Sequence, residues 1–190
     1  MRFLLAAALI LAAAPALAHG GPPHVHGAFA SGLLHPFGGL DHVLAMVAVG
    51  LWAALDGGRA LWLFPAAFLC GLLAGGILGM AGSSLPLVEP GILASIVVLG
   101  AAIAFALRAP LPAALALIAT FGVLHGHAHG AEMPSIGAPA PYAAGFVLAT
   151  AVLHGLGLGA GRLALALDRP LLLRGAGALT GLAGLAMVLA

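Results

Sequence analysis

Three groups of side chains could do chemistry in this chain. The first is His35, Asp41 and His42, with Met46 one helical turn further on as a weaker candidate. The second is the run His125-Gly126-His127-Ala128-His129-Gly130-Ala131-Glu132, and the third is His154. Neutral imidazole combined with carboxylate suits nickel, cobalt, zinc or copper(II), and imidazole also takes up and releases protons near neutral pH. On an unbroken helix His35 and His42 share a face two turns, roughly 10 Å, apart, with Asp41 about 100° round from His42. His125 and His129 are i,i+4 neighbours, a spacing that lets two imidazoles bind one ion. His127 points elsewhere unless the helix unwinds, which Gly126 and Gly130 would permit. Glu132 adds a hard oxygen at the end of that run. Four alternate glycines, Gly155, Gly157, Gly159 and Gly161, follow His154 and would allow close helix approach or an unwound backbone.

A lone histidine in apolar sequence is more often bonded to a backbone carbonyl than to a ligand. Six histidines with two carboxylates on three segments favour a shared metal or proton pathway instead. The single cysteine, Cys70, excludes an internal disulfide and a thiolate-rich metal site.

The elements that must position these residues are membrane helices. The 190 residues are 63% hydrophobic and 6% charged, without a lysine, and mean hydropathy is +1.21. A soluble domain carries roughly a quarter charged residues. No basic run suggests nucleic acid. A crossing helix needs about 20 apolar residues, and six stretches qualify: about 32–55, 61–81, 90–107, 111–130, 142–163 and 170–190. Ahead of them, Met1-Arg2, an apolar run and Pro15-Ala16-Leu17-Ala18 have the make-up of a cleaved secretory signal peptide.

The expected organisation is a signal peptide at 1–18, a His-rich outer segment at 19–31 (His19, His24 and His26), and a six-helix transmembrane transport domain at 32–190. The fold class expected is an all-α membrane bundle. Arg59, Arg108, Arg162, Arg169 and Arg174 then fall on one side, which the positive-inside rule makes cytoplasmic, leaving both ends of the mature chain outside. Gly71, Gly75 and Gly79, and again Gly177 and Gly181, form small-residue ladders of the kind that pack membrane helices. His42 and Asp41 lie about ten residues deep. An ionised aspartate there costs roughly 3 kcal/mol on insertion scales and should be paired. Pro36, Gly38 and Gly39 would loosen the helix beside it.

His35-Pro36-Phe37-Gly38-Gly39-Leu40-Asp41-His42, with Met46 and Gly50 after it, resembles the signature of the HupE/UreJ family. Leu124 to Glu132 is similar to that family's second motif, which begins with phenylalanine where this chain has Leu124. The resemblance covers essentially the whole chain. It implies a bacterial inner-membrane permease for nickel, or cobalt, that supplies hydrogenase or urease and their nickel chaperones. It also implies that His35, Asp41, His42, His125, His129 and Glu132 matter for transport.

The expectation is therefore a secondary transporter for a divalent metal, Ni2+ ahead of Co2+ or Zn2+, with no organic cofactor and no enzymatic activity. There is no phosphate-binding loop for ATP. The alternatives are a membrane-embedded metal hydrolase, against which stands the lack of a His-Glu-x-x-His motif, and a metal-binding accessory subunit. Since one helix cannot surround an ion, His35 to Gly50 is expected to form one wall of a path. His125, His129 and His154 would be the facing walls.

Overall fold

The computed structural model describes residues 25–133 and 138–190. The signal peptide expected at 1–18, and His19 and His24, lie outside them. Every regular element among the described residues is helical: α1 Val25–Leu34, a 3-10 turn His35–Gly38, α2 Leu40–Asp56, α3 Ala60–Met80, α4 Val88–Ala104, α5 Leu111–Glu132, α6 Pro139–Ala166 and α7 Pro170–Leu189. The chain is thus the all-α protein that its hydropathy predicts.

Proline and glycine punctuate the elements. The starts of α5, α6 and α7 carry proline in the first turn, where its missing N–H costs no helical bond. Gly57, at φ 73°, ends α2 in a conformation that L side chains rarely adopt.

Four helices, α3, α5, α6 and α7, are long and apolar enough to cross a membrane. The expected first crossing is not one helix. It divides at Gly39 into α1 and α2, which meet at 85° and together count as a fifth candidate span. The break falls where Pro36, Gly38 and Gly39 cluster. α1 begins at Val25, several residues ahead of the expected start. α4 is apolar but has 17 residues, about 25 Å at 1.5 Å per residue. Two neighbours satisfy carbonyls where it ends. Trp52 Nε1–H on α2 donates to Leu107 O at 3.2 Å, and Arg174 Nε–H on α7 donates to Ala104 O at 2.8 Å. Carbonyls at such an end cannot be left bare in lipid.

Helices pair through glycine. α3 lies on α5, α4 on α7, and α6 carries both α1 and α2. The ladder Gly71, Gly75, Gly79 meets the α5 backbone, and Gly122, Gly126 and Gly130 of α5 return the contact on the α3 backbone. Gly126 and Gly130 therefore serve close packing, and α5 stays wound through the histidine run. Gly50 of α2 and Gly157 of α6 interlock in the same way. Gly155 and Gly159 face open space and leave α6 unbroken.

These contacts leave no room for a methyl group. A Cβ at Gly75 would fall 2.0 Å from Val123 O, and overpacking of this kind costs about 1–3 kcal/mol. Gly75→Ala is expected to lower the thermal unfolding midpoint of the detergent-solubilised protein. Gly155→Ala, with nothing within 4 Å, should leave the midpoint unchanged or raise it.

Candidate functional site

The break before α2 creates the site. Gly39 is the residue ahead of the first turn of α2, and no side chain caps that end. Asp41 in the first turn sets a negative charge against the exposed N–H groups, where the helix dipole favours it. Its Oδ1 accepts a hydrogen bond from His42 Nδ1–H at 2.8 Å. Position 39 must be small, since a Cβ there would stand 2.4 Å from Asp41 Oδ1 and 2.8 Å from His42 Nδ1. The aspartate thus has an imidazole partner.

Two further imidazoles are held in the same manner. His125 Nδ1–H on α5 donates to Phe121 O at 2.9 Å, and His154 Nδ1–H on α6 donates to Met46 O of α2 at 2.7 Å. Carbonyl and carboxylate oxygens only accept, so each bond fixes a proton on Nδ1, and in the neutral imidazole Nε2 then carries the lone pair. In all three rings Nε2 is buried and meets no hydrogen-bond partner among the described residues. Among the same residues His129, also buried, has neither ring nitrogen partnered. Buried polar atoms are ordinarily satisfied, so this concentration of exceptions marks the centre of the bundle as the functional candidate.

The rings crowd around His129. His42 lies 4.4 Å from it between centroids, and His35 lies 4.7 Å from it nearly edge-on. His42 also stands 5.4 Å from His125. The expectation of one continuous helix through His35 and His42 is therefore corrected. The chain bends by 85° at Gly39, and His35 and His42 both abut the same imidazole from α5. Phe146 of α6 packs on His129 at 4.4 Å. Phe68 of α3 packs on both His125, at 5.4 Å, and His154, at 5.1 Å. An apolar cleft between α3, α5 and α6, lined in part by Leu72, Gly76, Met133 and Phe146, reaches His129.

The other candidates are dispersed. His127 turns away, as its register on a wound helix dictates, and its Nε2–H donates to Ser83 O in the α3–α4 connection at 2.7 Å. Met46 is fully buried in the apolar core and contributes its carbonyl to His154. The side chains of Glu132 and His26 are outside the described part of the structure. Among the described residues no three His, Cys, Asp or Glu side chains stand ready to hold one metal ion. The imidazoles are gathered without being set as a finished coordination shell.

Sequence reasoning missed the aromatic partition, Phe68 and Phe146, which apolar composition hides. It also missed Thr150, whose buried hydroxyl has no partner among the described residues. The i,i+4 spacing from Thr150 to His154 was the available signal.

An all-helical bundle with several membrane-length helices and an imidazole-rich interior is the class that this geometry defines. A family model described as HupE / UreJ protein matches residues 7–187. Protein HupE of Rhizobium leguminosarum bv. viciae is 41% identical over 177 residues, covering 93% of this chain and 92% of that protein. The chain belongs to the HupE/UreJ family. No solved structure matches it.

Because φ −125° and ψ 126° at Gly39 are open to any residue, Gly39→Ala should fold while forcing the Asp41 carboxylate off His42. Nitrogen NMR of 15N-histidine-labelled protein is expected to find His42 locked as the Nδ1–H tautomer in the parent. In the variant it should be a mixture of tautomers. An unchanged His42 signal would refute the steric account of this glycine.

Proposed function

We propose that the chain is a secondary permease for a divalent transition-metal ion, nickel first, with cobalt or zinc as lesser cargo. It would serve hydrogenase or urease maturation through their nickel chaperones. The observation that carries this reading is the set of three imidazoles, His42, His125 and His154, each with Nδ1–H engaged on oxygen and Nε2 bare and buried. Protein metal sites orient their histidines by this same second hydrogen bond. Nε2 nitrogens beside a carboxylate suit the later divalent transition metals better than magnesium or calcium.

Transport rather than storage is favoured by the lack of a preassembled shell. Conduction needs sites strong enough to admit an ion and weak enough to release it. The cargo would meet His35, His42, His125 and His129 with Asp41 close by, and His154 beyond Phe68. His127, Glu132 and Met46 are assigned lesser roles, at the outer mouth for the first two and in packing for the third. No catalytic step is assigned to any residue.

In this reading α4 and the bent α1–α2 pair complete six crossings. Residues 1–18 are a cleaved signal, and the His-rich entry segment at 19–31 lies at the periplasmic end, its helical part being the start of α1 that leads into the transport domain at 32–190. The side-chain bonds from α2 and α7 to the end of α4 gather Trp52, Leu107 and Arg174 at one end of the bundle. The His127–Ser83 bond joins α5 to the α3–α4 connection. That arrangement agrees with an arginine-bearing cytoplasmic face in a bacterial inner membrane.

The test is uptake of radioactive nickel into proteoliposomes containing the purified protein. The parent is expected to accumulate nickel, and Asp41→Ala to reduce the initial rate by about tenfold or more, on the scale of lost metal-supporting carboxylates. Uptake unaffected by that substitution would remove Asp41–His42 from the path. A parent protein that moves no metal would remove the transport reading itself.

A further inference from the structure

Thr150 sits on α6 with its side chain fully buried, and its Oγ1 meets no hydrogen-bond partner among the described residues. Hydroxyls on membrane helices usually bond back to a carbonyl of the preceding turn. Two others in this bundle do so: Ser95 Oγ–H donates to Ile92 O at 2.6 Å, and Thr120 Oγ1–H donates to Ala116 O at 2.8 Å. Thr150, in the interior, goes without it.

Its position explains what the hydroxyl is for. Phe146, Thr150 and His154 succeed one another at i,i+4 steps on the buried face of α6, and such neighbours have Cβ atoms about 5–6 Å apart. Phe146 packs on His129, at the level where His35 and His42 gather. His154 is a turn beyond Thr150 and is held on Met46 O, and Phe68 packs on both His154 and His125. Thr150 therefore stands on the α6 face between Phe146, which packs on the imidazole cluster, and His154.

We infer that the Thr150 hydroxyl lines the transport path between the imidazole cluster and His154, as an oxygen donor that a divalent transition-metal cation meets on its way from one to the other. This rests on the permease reading above and adds a residue and an order of stations to it. A hydroxyl oxygen with its lone pairs free can replace a hydration oxygen of the ion. Being neutral, it would not hold the ion as Asp41 can, and that is what an intermediate position requires. Its loss should slow passage without weakening capture at the outer cluster.

The experiment measures the concentration dependence of radioactive nickel uptake in proteoliposomes for the parent, Thr150→Val, Thr150→Ala and Thr150→Ser. Each protein is first checked for a monodisperse profile and unfolding midpoint in detergent. Valine keeps the volume of threonine and removes the hydroxyl. The inference expects the maximal rate to fall about tenfold in Thr150→Val with the half-saturating nickel concentration within about twofold of the parent. Thr150→Ser should restore most of the rate. If Thr150→Val does not fold, Thr150→Ala carries the comparison with Thr150→Ser. A hydroxyl-free variant that transports at the parental rate overturns the inference and leaves the permease reading standing. So does a Thr150→Ser protein as slow as the hydroxyl-free one, which would make the residue one of packing. A parent without uptake overturns both.

Discussion

An N–H group inside a lipid-embedded bundle must find an acceptor supplied by the protein, and the centre of this molecule is arranged by that constraint. Each of His42, His125 and His154 meets it with Nδ1, on an aspartate, on the preceding turn of its own helix, and on the carbonyl of a neighbouring helix. Satisfying one nitrogen determines the other. In the neutral ring Nε2 is left as a buried lone pair, open to a hydrogen-bond donor, a proton or a metal ion. The His154 bond to Met46 O also ties α6 to α2, so orienting the ring and joining the helices are one act.

Glycine contacts hold the helices that carry these rings. The imidazoles that meet at 4.4–5.4 Å, centroid to centroid, stand on α2 and α5, and each of these helices has a neighbour whose backbone comes close. The α3–α5 and α2–α6 interfaces do so at glycines whose missing side chains are filled by the partner's carbonyls. Packing and chemistry therefore share residues. Gly126 and Gly130 flank His127 and His129 and serve the helix interface. Gly50 seats α2 against the backbone of His154.

The site is also unfinished in a way that suits movement. Rings stand edge-on or tilted to one another, and no three metal-binding side chains among the described residues converge as a closed shell. Phe68 packs on both His125 and His154, and Thr150 lies one turn from Phe146 and one from His154. The arrangement resembles a series of partial shells more than a socket, as expected where an ion must leave as readily as it enters.

Much of this was legible in the chain itself. Composition and the spacing of apolar runs establish an all-helical membrane-type protein, because backbone groups in lipid leave few alternatives. The two polar motifs identify the imidazoles that the bundle gathers, and helical register alone turns His127 away from His129. What the sequence could not determine is the relation between His35 and His42. A pattern read at 100° per residue assumes an unbroken helix, and the 85° break at Gly39 voids it. Nor could it reveal that Gly126 and Gly130 pack rather than unwind, that Phe68 packs on both His125 and His154, or that Thr150 lacks the bond that Ser95 and Thr120 make. Those depend on which backbone carbonyl approaches which side chain across a helix interface, and only the tertiary structure decides that.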